Sequence, residues 1–145
     1  MKKIAVIILN WNGADLLRKF LPSVCAHTNA HIADVIVVDN GSDDNSVEVL
    51  KQEFPQVKTL LFPQNCGFAA GYNKALEMLD YKYAVLLNSD VETTPHWLEP
   101  LLEFAEDNPD VAACQPKIKS LRRREKFEYA GAAGGFIDRY GYPFC

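Results

Sequence analysis

The run Ile4-Ala5-Val6-Ile7-Ile8-Leu9, followed at once by Asn10-Trp11-Asn12-Gly13, decides the fold. It is apolar and largely β-branched with no polar alternation, the pattern of a strand covered on both faces. Its six apolar residues fall far short of a bilayer span. Lys2 and Lys3 imitate the start of a signal peptide, but the polar Asn10-Trp11-Asn12 and the lack of a small-residue cleavage site exclude one. The spacing therefore predicts a buried strand over residues 3–9 that emerges into a polar turn.

Working outward, strand-like runs alternate with helical stripes. Residues 14–25 carry Leu16, Leu17, Phe20, Leu21 and Val24 at helical spacing. Residues 33–38 read as a second strand, and Ser42 or Asp43 can cap a helix bearing Val47, Leu50 and Phe54. A third strand over 57–62, a helix over 68–79 and a fourth strand over 83–87 follow. Pro95 suits the first turn of another helix, with Trp97, Leu98, Leu101, Leu102 and Phe104 on its apolar side. Residues 111–114 suggest a fifth strand. This alternation predicts βαβ units and an α/β fold around a mostly parallel sheet.

The chain has 145 residues, 48% hydrophobic and 23% charged, with a net charge of -4. Those values suit a globular domain and leave no basic footprint for nucleic acid or a membrane surface. The single basic run, Arg122-Arg123-Arg124, reads as a solvated loop or helix face. Cys25, Cys66, Cys114 and Cys145 are scattered without a paired motif, as in a cytoplasmic protein. His27, His31 and His96 lack metal-ligand spacing.

In an open α/β sheet the ligand lies at the carboxyl ends of the strands. Here those ends read Asn10-Trp11-Asn12-Gly13, Asp39-Asn40-Gly41-Ser42-Asp43-Asp44, Gln64-Asn65-Cys66-Gly67 and Asn88-Ser89-Asp90. Each alone is ordinary turn and cap chemistry; four on one edge make a polar rim. Asp39 can accept the imide N–H of a pyrimidine or a sugar hydroxyl, or can serve the turn with Asn40-Gly41. Trp11 offers a flat face to a base or sugar, or packs under the first helix. Asp90 can bind a hard divalent cation, sharing a face with Asn88, or can cap the next helix. Gly67-Phe68-Ala69-Ala70-Gly71-Tyr72-Asn73 opens a helix with small residues, which suits close approach of a ligand or of a strand, and is no P-loop.

Taken in order, Ile8-Leu9-Asn10-Trp11-Asn12, Val37-Val38-Asp39-Asn40-Gly41-Ser42-Asp43-Asp44, Asn65-Cys66-Gly67-Phe68-Ala69-Ala70-Gly71-Tyr72-Asn73 and Leu86-Leu87-Asn88-Ser89-Asp90 resemble the amino-terminal half of family 2 glycosyltransferases. The resemblance covers nearly the whole chain. It implies a GT-A fold, a Rossmann-like α/β/α sandwich that takes a UDP- or dTDP-linked sugar with Mg²⁺ or Mn²⁺ and transfers the sugar to an acceptor hydroxyl with inversion. It also implies nucleotide contacts at Leu9, Asn10, Trp11, Asp39, Asn65, Gly67, Asn73 and Ser89, with Asp90 as metal ligand. Asn88 stands where the family's first metal-motif carboxylate is expected, which places it beside the metal in a lesser role. The tail from Gly131 to Asp138 is similar to members that transfer rhamnose and related deoxysugars.

The family's acidic general base has no counterpart here, because Glu106-Asp107 comes too early. Residues 1–145 are therefore expected to be the nucleotide-sugar-binding part of one catalytic domain. Its base and acceptor-binding part are expected beyond Cys145. The acceptor class stays open between saccharide, lipid-linked and protein. The expected location is cytoplasmic, with the inner membrane face open to the full-length protein. A nicotinamide dehydrogenase would need a G-x-G-x-x-G turn after the first strand, which Asn10-Trp11-Asn12-Gly13-Ala14-Asp15 lacks. A non-catalytic nucleotide- or saccharide-binding module of the same fold is the stronger rival.

Overall fold

The computed structural model describes residues 2–128 and 136–144. The chain divides into two compact units, Met1–His96 and Trp97–Cys145. In the first, the elements run β1 (Ile4–Asn10), α1 (Ala14–His27), β2 (Ala33–Asp39), α2 (Ser46–Glu53), β3 (Lys58–Leu61), α3 (Phe68–Glu77) and β4 (Tyr83–Leu87). The sheet has the order β3-β2-β1-β4 and every pair is parallel. The alternating runs thus form the expected α/β architecture.

Strands β2 and β3 lie successively to one side of β1, so right-handed crossovers carry α1 and α2 over the same face. The return from β3 to β4 crosses back and sends α3 to the other face. The packing agrees: Tyr72 and Ala75 of α3 join Ala5, Ile7, Ile36, Val38 and Phe62 in one buried cluster. The alternate strand residues Ile4, Val6, Ile8 and Val37 are buried on the opposite face, and α1 and α2 pack on each other. Helices thus cover both faces of β1, which explains why its sequence shows no polar alternation.

At the far end of the sheet from the strand tips, Asp34 ties three elements together. Its carboxylate accepts from Lys2 Nζ at 2.6 Å, Lys58 Nζ at 2.9 Å and the Tyr81 hydroxyl at 2.8 Å. Burial acts to raise this carboxyl, but hydrogen bonds from Lys2, Lys58 and Tyr81, with the Lys2 charge, outweigh it and hold it at about 2.

Several expected boundaries move. Helix α2 begins at Ser46, not beside Ser42 or Asp43, because those loop residues bond across to the turn after β1. Strand β3 keeps only Lys58–Leu61, with Val57 and Phe62 buried beside it. In the first unit, the segment after β4 is pinned to α1: the His27 ring meets the Thr93 carbonyl at 2.8 Å, and Thr93 bonds Ser23 through both its N–H and its hydroxyl. His96 then takes a left-handed φ of 58° and the first unit ends.

The second unit carries α4 (Glu99–Asp107) and a short antiparallel pair, β5 (Phe136–Ile137) with β6 (Pro143–Phe144). Pro100, not Pro95, occupies the opening of α4, because the left-handed His96 interrupts any earlier start. Of the expected apolar side, Leu98 just ahead of α4 is buried and Trp97, Leu101 and Leu102 are half-buried, whereas no residue within α4 itself is buried and Phe104 is exposed. Residues 111–114 form no strand and are fully on the surface, since an apolar run needs a partner ladder to become one. The arginine run is a solvated loop. The glycine-rich stretch Gly131-Ala132-Ala133-Gly134-Gly135 lies outside the described residues. Among those described, no helix is long and apolar enough to cross a membrane, and Cys25, Cys66 and Cys114 are free thiols.

Candidate functional site: a cleft at the fork between two strands

Pairing of β1 with β2 runs to Asn10↔Asp39, whereas pairing of β1 with β4 stops at Ile8↔Leu87. The strands part there, and a cleft of about 380 Å³ opens at their carboxyl ends. This is the switch point of the sheet, where the crossover direction reverses, and it is the position at which such sheets bind ligands. Leu9, Trp11 and Leu16 form one side, Asn40 lies after β2, Asn65, Gly67 and Phe68 form a second side, and Asn88, Ser89 and Asp90 a third. Trp11 is 56% exposed and Phe68 67%, so both present aromatic surface within the cleft instead of joining the core.

The wall from β1 and β2 is held by its own hydrogen bonds. Asn10 and Asp39 end adjacent strands and are buried. Asp39 Oδ2 accepts from Asn10 Nδ2 at 3.0 Å and from the Ser42 hydroxyl at 2.7 Å, while Oδ1 accepts from the Ser42 N–H at 3.0 Å. A carboxylate offers about four lone-pair positions, so these three bonds leave one acceptor position unused. Ser42 Oγ also accepts from the Asn12 N–H at 2.9 Å. Asn12, at a left-handed φ of 50°, accepts in turn from the Asp43 and Asp44 N–H groups. Asp44 caps α1 from across the loop by accepting from the Ala14 N–H at 3.1 Å. Burial acts to raise the Asp44 carboxyl, but hydrogen bonds from Ser46 and Ala14 hold it below its ordinary value.

Asn40 builds the next part of the wall. Its Nδ2 donates to Asn65 Oδ1 at 2.9 Å and the Gly67 carbonyl at 3.1 Å, while its Oδ1 accepts from the Cys66 N–H and thiol, each at 3.1 Å. Asn65 Oδ1 also closes its own turn on the Gly67 N–H at 2.7 Å, which leaves its N–H₂ group as the part able to reach a ligand. Gly41 makes this approach possible: at a φ of +73°, a Cβ there would lie 2.5 Å from the Gln64 backbone.

The wall from β4 differs. Asn88, Ser89 and Asp90 make no side-chain hydrogen bond or ion pair to any described residue, and Asp90 caps no helix, since α4 begins at Glu99. Behind them the buried Tyr72 donates its hydroxyl to the Leu87 carbonyl at 3.0 Å. Burial pushes this phenol up, the Leu9 N–H pulling the other way.

Of the residues singled out in the sequence, the cleft gathers Leu9, Trp11, Asn65, Gly67, Asn88, Ser89 and Asp90. Asn10 and Asp39 sit behind its lining, and Asn73 lies exposed on α3 outside it. Leu16, Asn40 and Phe68 line it without having been singled out. Phe68 carried a signal, as a large apolar residue directly after a glycine at a helix start; the cross-loop bonds of Asn40 leave no mark in sequence spacing. Lys74, inside α3, places its ammonium 4.1 Å from the Phe62 ring centre. Among the described residues no group of three or more His, Cys, Asp and Glu side chains gathers as a metal cage.

The fold is that of GT-A glycosyltransferases: S. aureus TarS, and the same protein in complex with UDP-GlcNAc, superpose with TM-scores of 0.64 and 0.65 at 17% and 18% identity. Those superpositions cover 80% and 81% of this chain and 39% and 38% of TarS. By sequence the chain is similar to the uncharacterized glycosyltransferase YibD of Escherichia coli, 34% identical over 77% of this chain and 33% of YibD. It is also similar to an N-acetylglucosaminyl-diphospho-decaprenol L-rhamnosyltransferase of Mycobacterium tuberculosis, 24% identical over 80% of this chain and 41% of that protein. The chain thus spans between about a third and two-fifths of these relatives' length. The glycosyl transferase family 2 model matches residues 5–139, nearly the whole chain, and the chain belongs to that family.

Proposed function

We propose that this chain is the donor-binding part of an inverting, metal-assisted glycosyltransferase that takes a UDP- or dTDP-linked sugar. The observation that carries the reading is the cleft itself. Aromatic faces at Trp11 and Phe68 share one opening with Asn88, Ser89 and Asp90, whose side chains have no partner among the described residues. An apolar half suits a base or sugar, and a half with uncommitted oxygen atoms suits a cation-bound diphosphate. Asp39, with one acceptor position left, would take the pyrimidine imide N–H; Leu9, Trp11, Asn65, Gly67 and Ser89 would line the nucleotide, with Asn10 acting through Asp39. Asn73 stands off the cleft, and its contact would require the nucleotide to extend along α3.

The donor set fits Mg²⁺ or Mn²⁺. Asp90 and Asn88 offer hard oxygen atoms, and the lack of a carboxylate cage among the described residues suits an ion that completes its shell with phosphate oxygens and water. Asp90 would hold the ion, and Asn88 would orient Asp90 or a bound water. When bound, the ion would offset the charge developing on the departing nucleoside diphosphate. In the transfer, the acceptor oxygen bonds to the anomeric carbon as the bond to the diphosphate oxygen breaks, and the acceptor proton passes to a carboxylate base.

Asp90 is the one carboxylate among the described residues that line the cleft, and it cannot serve as both ligand and base. We place the base and the acceptor wall in sequence beyond Cys145, with residues 1–145 as one part of a single catalytic domain. This chain alone should bind donor and transfer little. The same observation favours a second reading, a nucleotide-binding module without transfer. Named relatives include a rhamnosyltransferase; a deoxysugar donor for this protein would agree with the tail's resemblance. A cytoplasmic protein, at the inner membrane face in its full length, is part of the proposal. Calorimetry with UDP, dTDP and ADP, each with Mn²⁺ and with chelator, tests the reading: pyrimidine preference with metal enhancement supports it, and equal affinity for ADP and UDP overturns it.

A further inference from the structure

We infer that Tyr72 is a positioning residue that sets two sides of the cleft from behind, the turn after β4 and the Phe68 ring. Three observations carry this. Its hydroxyl donates to the Leu87 carbonyl, in the last residue of β4 and in the peptide group that leads directly into Asn88. Its ring meets the Phe68 ring edge-on, with centroids 5.1 Å apart and planes at 75°, and Phe68 forms the exposed aromatic side of the cleft. The preceding residue is Gly71, where a Cβ would lie 2.9 Å from both Leu9 Cδ atoms, so the backbone of α3 can bring Tyr72 this close to the fork.

The placement has a physical consequence. The β1–β4 ladder ends at Ile8↔Leu87, so the peptide after Leu87 loses the support of a neighbouring strand. Among the described residues the side chains of Asn88, Ser89 and Asp90 have no partner, and the phenol bond at Leu87 is a buried polar anchor directly ahead of them. Tyr72 itself is 4% exposed and does not line the cleft. It acts through the orientation of the Leu87–Asn88 peptide on one side and of Phe68 on the other. The functional half of this inference rests on the reading of the cleft as a nucleotide-sugar site; the positional half does not.

Tyr72→Phe separates the two roles, because it keeps the ring and removes the donor. In the unliganded protein, amide hydrogen exchange at Asn88, Ser89 and Asp90 should quicken about fivefold, the scale of one lost buried hydrogen bond. The Mn²⁺-dependent gain in UDP affinity should fall by a similar factor, about fivefold, while uridine affinity stays within about twofold. Placing 4-aminophenylalanine at position 72, whose N–H can donate to the same carbonyl, should restore both. Unchanged exchange at residues 88–90 overturns the inference, as does an equal loss of uridine and UDP affinity, the mark of general destabilisation. If the unsubstituted protein shows no metal-enhanced UDP binding, the nucleotide reading fails, and the exchange measurement alone decides the role of Tyr72.

Discussion

The polar turns that back the cleft after β1 and β2 and the turn that lines it after β4 are made of the same residue types and behave differently. After β1 and β2, Asn10, Asn12, Asp39, Asn40, Ser42 and Asp44 bond one another or neighbouring backbone, so their polarity largely serves the loops themselves. After β4, Asn88, Ser89 and Asp90 hold the same kinds of oxygen and amide groups with no such partners among the described residues. The difference teaches how to divide a polar rim. A side chain whose hydrogen-bonding capacity is used internally is a brace, and removing it costs stability. A side chain left without partners costs little to remove and changes what the protein binds.

That division can be broken most forcefully at Gly41. Gly41→Ala would drive a Cβ to 2.5 Å from the Gln64 backbone at a φ of +73°. We expect a loss of about 3 kcal/mol in chemical denaturation, since neither backbone can yield cheaply. Asp90→Ala should change stability by less than about 0.5 kcal/mol in the same assay, because it removes no internal bond. Comparable losses for the two variants would erase the distinction between the walls.

Asp39→Ala should come next. It removes the acceptor of the buried Asn10 bond and of both half-buried Ser42 donors, leaving Asn10 only its longer bond to Ser42 Oγ, for about 2 kcal/mol. Pyrimidine nucleotide affinity should fall roughly tenfold or more with it. Asp39→Ala protein that melts normally and binds UDP normally would show that its carboxylate neither braces the wall nor meets the base.

How far the sequence reveals this comparison depends on the kind of interaction. Strands β1, β2 and β4 are legible because helices cover β1 on both faces and the apolar run records that directly. Strand β4 was placed at its observed bounds although Ala84 and Leu86 stand exposed, since Tyr83, Val85 and Leu87 are apolar too. Residues 111–114 carry the same local signal without a ladder, so local propensity alone misleads there. The four polar turns were legible as a rim. Which of them are braced was not, because Ser42 meets Asn12 across 30 residues and Asn40 meets Asn65 across 25. Helix α2 was placed too early for the same reason: Ser42 looks like a cap but serves the neighbouring loop.

The smallest expected effect lies at the opposite end of the sheet. The Asp34 carboxyl is held at about 2, below its ordinary 3.8, so its contribution is present above pH ~4 and fades as pH falls through about 2. Partial exposure of Lys2 and Lys58 screens it, and we expect about 1 kcal/mol. Asp34→Asn should remove that part of the acid dependence without altering nucleotide affinity, a control that shows the two ends of the sheet to be independent. An altered nucleotide affinity would join them.

The central claim is that the unpartnered wall after β4 holds a cation that brings the diphosphate in. It is tested most directly by titrating UDP into the unsubstituted protein, Asn88→Ala and Asp90→Ala, each with Mn²⁺ and with chelator. The unsubstituted protein should bind UDP more tightly with Mn²⁺, Asn88→Ala should retain part of that gain, and Asp90→Ala should lose all of it while its affinity in chelator is unchanged. Identical UDP affinity with Mn²⁺ and with chelator in the unsubstituted protein would contradict the account.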